Sequence, residues 1–227
     1  MSRIYVAGGG NAKDSFLLDR DFVKSLNNNR ILYIPVGLER SIAGYEGCYA
    51  WLSNTLSVHT RQKLDITMVI DLKRGIYENI CNYAGVYIGG ALNTYRLMKV
   101  LVSTGFDKKI KNYLRGKGNL YGGSSGGIVF GENISTFGKE RDQCGIGEQG
   151  LNLINGYSFY CHFTDNKIDE VFQFSRKKQT SVIALPEDSG IVCENGVAVV
   201  VGYSKIAVVH FGSRKLKYFK PNESFRV

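Results

Sequence analysis

The first half of the chain alternates short apolar runs with helical patterns. The runs are apolar almost throughout, instead of at every second position, and they lie at residues 4–7, 31–36, 66–70 and 86–88. Strands of this kind are buried on both faces, so helices must cover both sides of the sheet that they form. Right-handed crossovers between parallel strands meet this requirement most simply. The pattern therefore predicts an α/β sandwich with a mostly parallel central sheet.

The predicted helices and the later β-runs complete this picture. Apolar periodicity predicts helices at about residues 15–26, 45–58, 95–102 and 106–115. From residue 181 onward the chain has closely spaced β-runs at 182–185, 190–193, 197–201, 206–211 and 216–219. Asn195-Gly196 between two of them is typical of a hairpin turn. We therefore expect antiparallel strands to be added at the C-terminal end of the sheet.

Composition and charge restrict the class of protein. The 227 residues are 44% hydrophobic and contain only 3 Pro, and no Pro-rich or charged block suggests a linker, so we expect a single domain over residues 1–227. The net charge of +9 would attract nucleic acid. However, the basic residues fall in separate segments without a nucleic-acid-binding motif, which favours solvated surfaces and no nucleic-acid partner.

The cysteines and the first residues indicate the compartment. The five cysteines form no Cys-x-x-Cys pair, so neither a disulfide framework nor a metal site is indicated; they are Cys48, Cys81, Cys144, Cys161 and Cys193. No segment is apolar enough for a signal-peptide core or a membrane span. We therefore expect a cytoplasmic protein that does not enter a membrane.

Two glycine-rich segments follow predicted strands. At the first, Gly8-Gly9-Gly10, the spacing of a dinucleotide-binding turn would require a glycine at Lys13, so a tight turn with positive φ is the better interpretation. At the second, Gly89-Gly90 lies at the carboxyl end of a strand, where backbone N–H groups can approach a substrate oxygen. A simple turn in which Asn93 or Thr94 caps the next helix is the alternative there.

The third segment, Gly122-Gly123-Ser124-Ser125-Gly126, has the Gly-x-Ser-x-Gly pattern. In a nucleophile elbow this pattern holds the serine in a sharp turn between a strand and a helix, and the N–H of the next residue, here Ser125, faces the oxyanion. Such a pattern also arises by chance in a chain with 27 glycines. Ser124 is therefore a candidate nucleophile that needs a base.

The chain has three histidines that could serve as the base for Ser124. His59 follows an amphipathic helix in a polar segment, which favours a solvated position, and His210 lies inside an apolar strand, which favours a packed imidazole. His162 lies where an apolar segment gives way to a loop, so it is the candidate general base. Its neighbour Cys161 would point to the opposite face of a strand and be buried.

A carboxylate must orient the histidine in such a site. Three residues qualify from their positions in loops or at strand ends: Glu187, Glu140 and Asp142. Each is equally compatible with an ordinary surface position.

The order and spacing of these segments resemble the aspartyl dipeptidase (dipeptidase E) and cyanophycinase family of serine peptidases. The resemblance spans nearly the whole chain. The segments that carry it are, in order, Gly8-Gly9-Gly10-Asn11, Ile34-Pro35, Tyr87-Ile88-Gly89-Gly90 with Asn93-Thr94, the turn at Ser124, His162-Phe163-Thr164, and Leu185-Pro186-Glu187 followed by Asn195-Gly196. It implies a class I glutamine amidotransferase-like fold, that is, a three-layer α/β sandwich.

The resemblance also implies roles for individual residues. Ser124 matches the family's nucleophile, His162 its general base and Glu187 the acid of a Ser-His-Glu triad, with Glu140 and Asp142 as alternative acids. The implied activity is that of a serine exopeptidase on short peptides, with N-terminal aspartate as a candidate. This chemistry requires no metal or cofactor.

The implied oxyanion hole consists of backbone N–H groups at Gly89, Gly90 and Ser125. Ser125 and Gly127 replace alanines that are common in the family, and the segment between His162 and Leu185 is shorter than in the aspartyl dipeptidases. In those enzymes this segment carries an arginine that binds the acidic side chain of the substrate. Arg176 is the arginine available here, so it is the candidate substrate-binding residue.

Two other functions remain open at this stage. An esterase-type acyl hydrolase has the order Ser, acid, His, which Asp142 would fit, but its histidine usually lies much further along the chain than His162 does here. A non-catalytic binding or regulatory protein on the same scaffold is the second alternative, since a fold does not determine activity.

Overall fold

The computed structural model describes residues 2–38, 44–73, 79–136, 145–212 and 215–227. Six helices and twelve strands lie within these ranges. In chain order they are β1 (Arg3–Ala7), α1 (Phe16–Ser25), β2 (Arg30–Ile34), α2 (Gly44–Ser57), β3 (Asp65–Met68), β4 (Gly85–Ile88), α3 (Thr94–Ser103), α4 (Phe106–Arg115), β5 (Asn119–Gly123), α5 (Ser125–Ile128), β6 (Tyr157–Tyr160), α6 (Ile168–Lys178), β7 (Ser181–Ala184), β8 (Ser189–Glu194), β9 (Val197–Gly202), β10 (Ile206–His210), β11 (Lys215–Phe219) and β12 (Ser224–Arg226).

The main sheet has eight strands in the order β12-β9-β8-β1-β5-β4-β2-β3. Its five strands from the first half of the chain pair in parallel with one another. Strands β8, β9 and β12 extend it in antiparallel fashion beyond β1. The predicted α/β fold, with a mostly parallel sheet and antiparallel additions, is confirmed.

Both faces of the central strands β2 and β4 are buried, which explains why these strands are apolar almost throughout. In β2, Ile31 and Tyr33 pack with the apolar side chains of α1 and α2, whereas Leu32 and Ile34 pack with those of α3 and α4 on the opposite face. Gly105, at φ +68°, separates α3 from α4 as predicted. No helix within the described ranges is long and apolar enough to span a bilayer.

The second sheet was not expected. Strands β11, β10, β7 and β6 form it in this order, so only part of the late β-structure joins the main sheet. Its inner face contributes Ile183 and Val208 to the core shared with the main sheet, and its outer face packs Val182 and Val209 against α6. An apolar run predicts a buried strand, but it does not specify which partner strand will pair with it.

Candidate active site

Two strand ends place Ser124 and His162 beside the end of β1. Ser124 follows β5, which pairs with β1, and its backbone N–H donates to the carbonyl oxygen of Ala7 at 3.2 Å. His162 follows β6 of the second sheet, and its N–H donates to the carbonyl oxygen of Gly8 at 2.9 Å. The end of β1 thus anchors both residues, which come from different sheets.

Ser124, His162 and Glu187 form a continuous hydrogen-bonded chain. The Oγ of Ser124 lies 2.8 Å from Nε2 of His162. On the other side of the ring, Nδ1 of His162 lies 2.7 Å from Oε1 of Glu187, which lies in the loop between β7 and β8. The side chains of His162 and Glu187 are 30% and 56% exposed, so solvent and ligands can reach this chain. With the proton on Nδ1, the imidazole accepts the hydroxyl hydrogen of Ser124 and donates to Glu187.

The backbone at Ser124 is held in a conformation that non-glycine residues rarely adopt. Its φ is +51° and its ψ is −122°, between the last residue of β5 and the first turn of α5. Gly126 allows this turn to lie tightly against β4, since a Cβ there would approach the carbonyl oxygen of Ile88 to 2.3 Å. Strain of this kind costs about 1–3 kcal/mol and occurs mainly at functional positions.

Two residues that support His162 were not predicted from the sequence. Gly9, at φ +125°, packs so closely against the imidazole that a Cβ at this position would lie 2.3 Å from the Cε1 atom of the ring. Lys167 donates from Nζ to the carbonyl oxygen of His162 at 2.9 Å, and His162 itself has a positive φ of +53°. The expectation of positive φ in the first glycine segment is confirmed at Gly9 and Gly10, but a turn pattern does not show which side chain the turn contacts.

The amides expected to bind the oxyanion differ in their availability. The N–H of Gly89 donates to the carbonyl oxygen of Ile34 at 3.0 Å, so it is already engaged. Within the described part of the chain, the N–H groups of Gly90 and Ser125 have no backbone acceptor. A Cβ built on Gly90 would lie 3.9 Å from the Cβ of Ser124, which places its backbone beside the serine.

Side chains join the two loops that carry these amides. Ser125 donates from Oγ to the carbonyl oxygen of Ala91 at 3.2 Å, and Thr94 donates from Oγ1 to Oγ of Ser125 at 3.1 Å. Asn93 caps α3, as the alternative interpretation of this segment proposed, and its side chain accepts from the N–H of Arg96 at 3.0 Å. The segment after β4 therefore both caps a helix and borders Ser124.

The other two histidines lie elsewhere, and the thiol of Cys161 is buried. His210 is on β10, with Nδ1 at 3.2 Å from the hydroxyl of Tyr157, and His59 packs against Phe16 instead of being fully solvated. Cys161 is buried as expected, and burial raises the pKa of its thiol to about 12. A thiol with this pKa remains protonated and is a poor nucleophile.

Three predicted site residues remain, and the structure describes one of them, Arg176. Glu140 and Asp142, the alternative acids, lie outside the described residues. Arg176, the candidate substrate-binding residue, lies on α6 and lines a separate cavity with Phe172 and His210. It is not among the residues that line the cavity at Ser124.

A cavity of about 370 Å³ opens beside Ser124 and His162. Its size is at the lower end of the range for small-molecule sites, about 300–1,000 Å³. The sequence did not predict its wall, which includes side chains from β2, β4, β5 and α2; they are Tyr33, Cys48, Trp51, Tyr87 and Tyr121. A tyrosine in each of three strand runs was the available signal, but tyrosine is also an ordinary core residue.

Comparison with known proteins agrees with this architecture. The model of Peptidase family S51 matches residues 4–201. A peptidase from an acI-B1 Actinobacterium has a similar structure, with a TM-score of 0.73 and 18% identity over 100% of this chain and 97% of that one. A putative peptidase E protein from Listeria monocytogenes EGD-e gives a TM-score of 0.66 and 19% identity over 90% of this chain and 100% of that one. No curated protein matches the chain in sequence.

The two structural neighbours are less than 25% identical to this chain, so they bear on its fold. The family match is evidence for the family as well as for the fold, because it covers most of the sequence. The matched range includes the positions of Ser124, His162 and Glu187. The chain therefore belongs to peptidase family S51, and it is a serine-type peptidase.

Proposed function

We propose that this peptidase is an exopeptidase that hydrolyses short peptides with a Ser124-His162-Glu187 triad. The observation that carries the proposal is the unbroken chain of contacts, 2.8 Å from Ser124 to His162 and 2.7 Å from His162 to Glu187. A serine hydroxyl is a weak nucleophile until a base takes its proton, and this chain supplies both a base and a group that orients it. The small cavity beside Ser124 favours short substrates.

In the proposed mechanism, Oγ of Ser124 attacks the scissile carbonyl while its proton passes to Nε2 of His162. Glu187 accepts the Nδ1–H hydrogen bond and stabilises the imidazolium that forms. His162 then donates its proton to the leaving amine, which leaves an acyl group on Ser124. A water molecule, deprotonated by His162, attacks this ester; His162 then returns the proton to Oγ of Ser124 as the acyl group leaves as a carboxylic acid.

The oxyanion in both steps is assigned to the N–H groups of Gly90 and Ser125. They border Ser124 and have no backbone acceptor among the described residues, whereas the N–H of Gly89 already donates to Ile34. Two preorganised N–H donors stabilise the charge that develops in the transition state, and the loss of one such donor typically costs about 10²–10³ in kcat. The turn at Ser124 acts as a nucleophile elbow in this proposal.

We place the protein in the cytoplasm in the same proposal. Among the cysteines that the structure describes, Cys81, Cys161 and Cys193 are free thiols, and Cys161 and Cys193 are buried. Unpaired thiols are typical of reducing compartments.

The proposal is tested with purified wild-type protein and the variants Ser124→Ala and His162→Gln on a dipeptide library. Released amino acids are measured by mass spectrometry. Each variant should lose at least about 10³-fold in kcat with an unchanged circular dichroism spectrum, because both residues take part in bond making. His210→Gln is the matched control, since His210 lies on β10 and should leave turnover near the wild-type value.

A fluorophosphonate probe provides a second readout that does not depend on the choice of peptide. It should form a stoichiometric adduct at Ser124 in the wild type and none in Ser124→Ala. Turnover that persists in Ser124→Ala would remove the serine from the mechanism. Absence of both an adduct and turnover in the wild type would favour a binding protein on this scaffold.

A further inference from the structure

Four tyrosines occupy matching positions on four neighbouring strands of the main sheet. Tyr5 pairs in register with Tyr121, Tyr121 with Tyr87, and Tyr87 with Tyr33. All four point to the face covered by α1 and α2. We call these residues the tyrosine row.

The rings of the tyrosine row contact one another. Tyr87 and Tyr121 stack with centroids 4.4 Å apart and planes 12° from parallel, and Tyr33 meets Tyr87 edge-on at 5.7 Å. All three residues are at most 4% exposed. Buried rings that contact each other in this way form a rigid surface, because a change of rotamer in one would collide with the next.

This surface forms one wall of the cavity that contains Ser124 and His162. Tyr33, Tyr87 and Tyr121 line the cavity from the sheet. Leu38 and Trp51 line it as well, and Trp51 belongs to α2, the helix that covers this face. A ligand group in the cavity would therefore lie between aromatic and aliphatic side chains.

The cavity wall carries no fixed charge among the residues that the structure describes. None of the described lining residues is Lys, Arg, Asp or Glu. Burial raises the pKa of the Tyr33, Tyr87 and Tyr121 hydroxyls above the usual value of 10, so these groups stay neutral. A carboxylate placed in this environment would lose its hydration without gaining a Lys or Arg partner among the described lining residues.

A buried acid close to the row makes the environment still less suitable for an anion. Asp19 on α1 is fully buried, and its charge acts on both Tyr87 and Tyr121. Burial raises its pKa to about 6, so it is mainly ionised at pH 7. A second negative charge in the cavity would be repelled by this carboxylate.

We infer that the cavity binds an apolar or aromatic side chain on the acyl side of the scissile bond, so that the preferred substrates are short peptides with an N-terminal residue such as Phe or Leu. The inference rests on the proposed function, because it takes Ser124 as the nucleophile. It assigns selectivity to Trp51 and to the three tyrosines that line the cavity, whereas the resemblance to aspartyl dipeptidases implied an arginine.

The first test compares four dipeptides, Phe-Ala, Leu-Ala, Asp-Ala and Lys-Ala, by kcat/KM with the wild-type enzyme. Phe-Ala and Leu-Ala should be cleaved at least about tenfold faster than Asp-Ala and Lys-Ala, because burial of an apolar side chain is favourable and burial of an unpaired charge is unfavourable. A preference for Asp-Ala or Lys-Ala would overturn the inference.

The second test uses two variants on α2. Trp51→Ala should raise KM for Phe-Ala about five- to tenfold and reduce its advantage over Asp-Ala, because Trp51 lines the cavity. Tyr49→Ala is the matched control: Tyr49 lies two residues away and is 40% exposed, against 39% for Trp51, but it does not line the cavity. Equal effects of the two substitutions would mean that Trp51 acts only through the stability of the helix.

The sequence also offers one arginine close to these residues along the chain. Arg40 follows Leu38 by two positions and lies outside the described residues. Arg40→Gln is therefore measured on the same four dipeptides. A wild-type preference for Asp-Ala that disappears in Arg40→Gln would overturn the inference and assign substrate selectivity to this arginine.

Two activated phosphonates separate failure of the inference from failure of the proposed function. One carries a benzyl group and the other a carboxymethyl group at the position of the acyl-side side chain, and the rate of adduct formation at Ser124 is measured for each. Faster labelling by the benzyl probe supports the inference, and faster labelling by the carboxymethyl probe overturns it while Ser124 remains the nucleophile. If neither probe labels Ser124 and no dipeptide is cleaved, both the proposed function and the inference are wrong.

Discussion

The two sides of the cavity are built from different parts of the fold. Ser124 and His162 lie in turns after strands, and both have positive φ angles, +51° and +53°. The tyrosine row lies inside regular strands and is buried. Few residue types tolerate the turn conformations, so the turn side is marked by glycines and a recognisable motif. The wall side only requires large side chains that pack, which many core positions also require.

This difference suggests that reaction and selectivity are separable in this molecule. In the proposed mechanism, groups in the turns touch the bond that breaks, so their loss should lower kcat. By the same proposal, groups in the wall contact parts of the substrate that do not react, so their loss should change KM and the choice of substrate. The following predictions test whether this separation holds.

Glu187→Gln should give the largest effect of these predictions. The substitution keeps the size of the side chain but removes the charge that stabilises protonated His162, so we expect kcat to fall by about 10²–10⁴-fold with little change in KM. The partial exposure of the Glu187 side chain, 56%, favours the lower part of this range, since water screens its charge. Steady-state kinetics on the best dipeptide measure the effect.

Glu140→Gln and Asp142→Asn are the matched controls for Glu187→Gln. Both residues were alternatives for the acid, and both lie outside the described residues. If either variant loses as much activity as Glu187→Gln, the acid of the triad is not Glu187 alone. If Glu187→Gln is fully active, the acid role passes to one of these two residues.

Gly9→Ala should have the next largest effect, because Gly9 packs directly against the ring of His162. It lines the cavity, and a Cβ would lie 2.3 Å from the His162 ring, so the ring must move. We expect a loss of about 10- to 100-fold in kcat from misplacement of the base by a fraction of an ångström. The measurement is kcat together with the rate of fluorophosphonate labelling at Ser124.

Gly105→Ala separates this effect from simple backbone strain. Gly105 also has a positive φ, +68°, but a Cβ there would meet nothing within 4 Å. Both variants should lose stability, whereas only Gly9→Ala should lose activity. A Gly9→Ala enzyme with wild-type kcat would show that the imidazole position tolerates displacement.

The fold and the turn side of the site were largely predictable from the sequence. Continuous apolar runs predicted the parallel sheet, and the motif at Ser124 with the loop at His162 gave the pair that the structure brings to 2.8 Å. The second sheet was missed because strand pairing between residues far apart leaves no local pattern. Lys167 was missed for a similar reason, since a lysine that donates to a backbone carbonyl looks like any surface lysine in the sequence.

The wall could not be predicted because its formation depends on the register in which the strands pair. Tyr33, Tyr87 and Tyr121 are separated by more than thirty residues from one another along the chain, and they meet only because β2, β4 and β5 align in one particular register. A shift of one residue would send each ring to the other face of the sheet. Trp51 joins them only through the position of α2 on the sheet.

Asp19 is the one described acid that is buried against the wall. Asp19→Asn tests how much free energy of unfolding the burial of this carboxylate costs. Burial raises the pKa of Asp19 from 3.8 to about 6, so the carboxyl group of Asp19 binds its proton more tightly in the folded protein than in the unfolded chain. Stability should therefore fall as pH rises from about 4 to about 6, by at most about 3 kcal/mol, and remain reduced at pH 7. Asparagine retains an oxygen that can accept the hydrogen bond from Ser15, at 2.6 Å in the wild type, without carrying a charge.

We accordingly expect Asp19→Asn to raise the free energy of unfolding at pH 7 by about 1–2 kcal/mol and to flatten its dependence on pH between 4 and 6, as measured by urea denaturation at several pH values. Asp169→Asn, at an exposed position on α6, should leave that pH dependence in place. A less stable Asp19→Asn protein at pH 7 would mean that the ionised carboxylate has a stabilising partner in solution. The charge of Asp19 would then be compensated, and it would no longer count against an anionic group in the cavity.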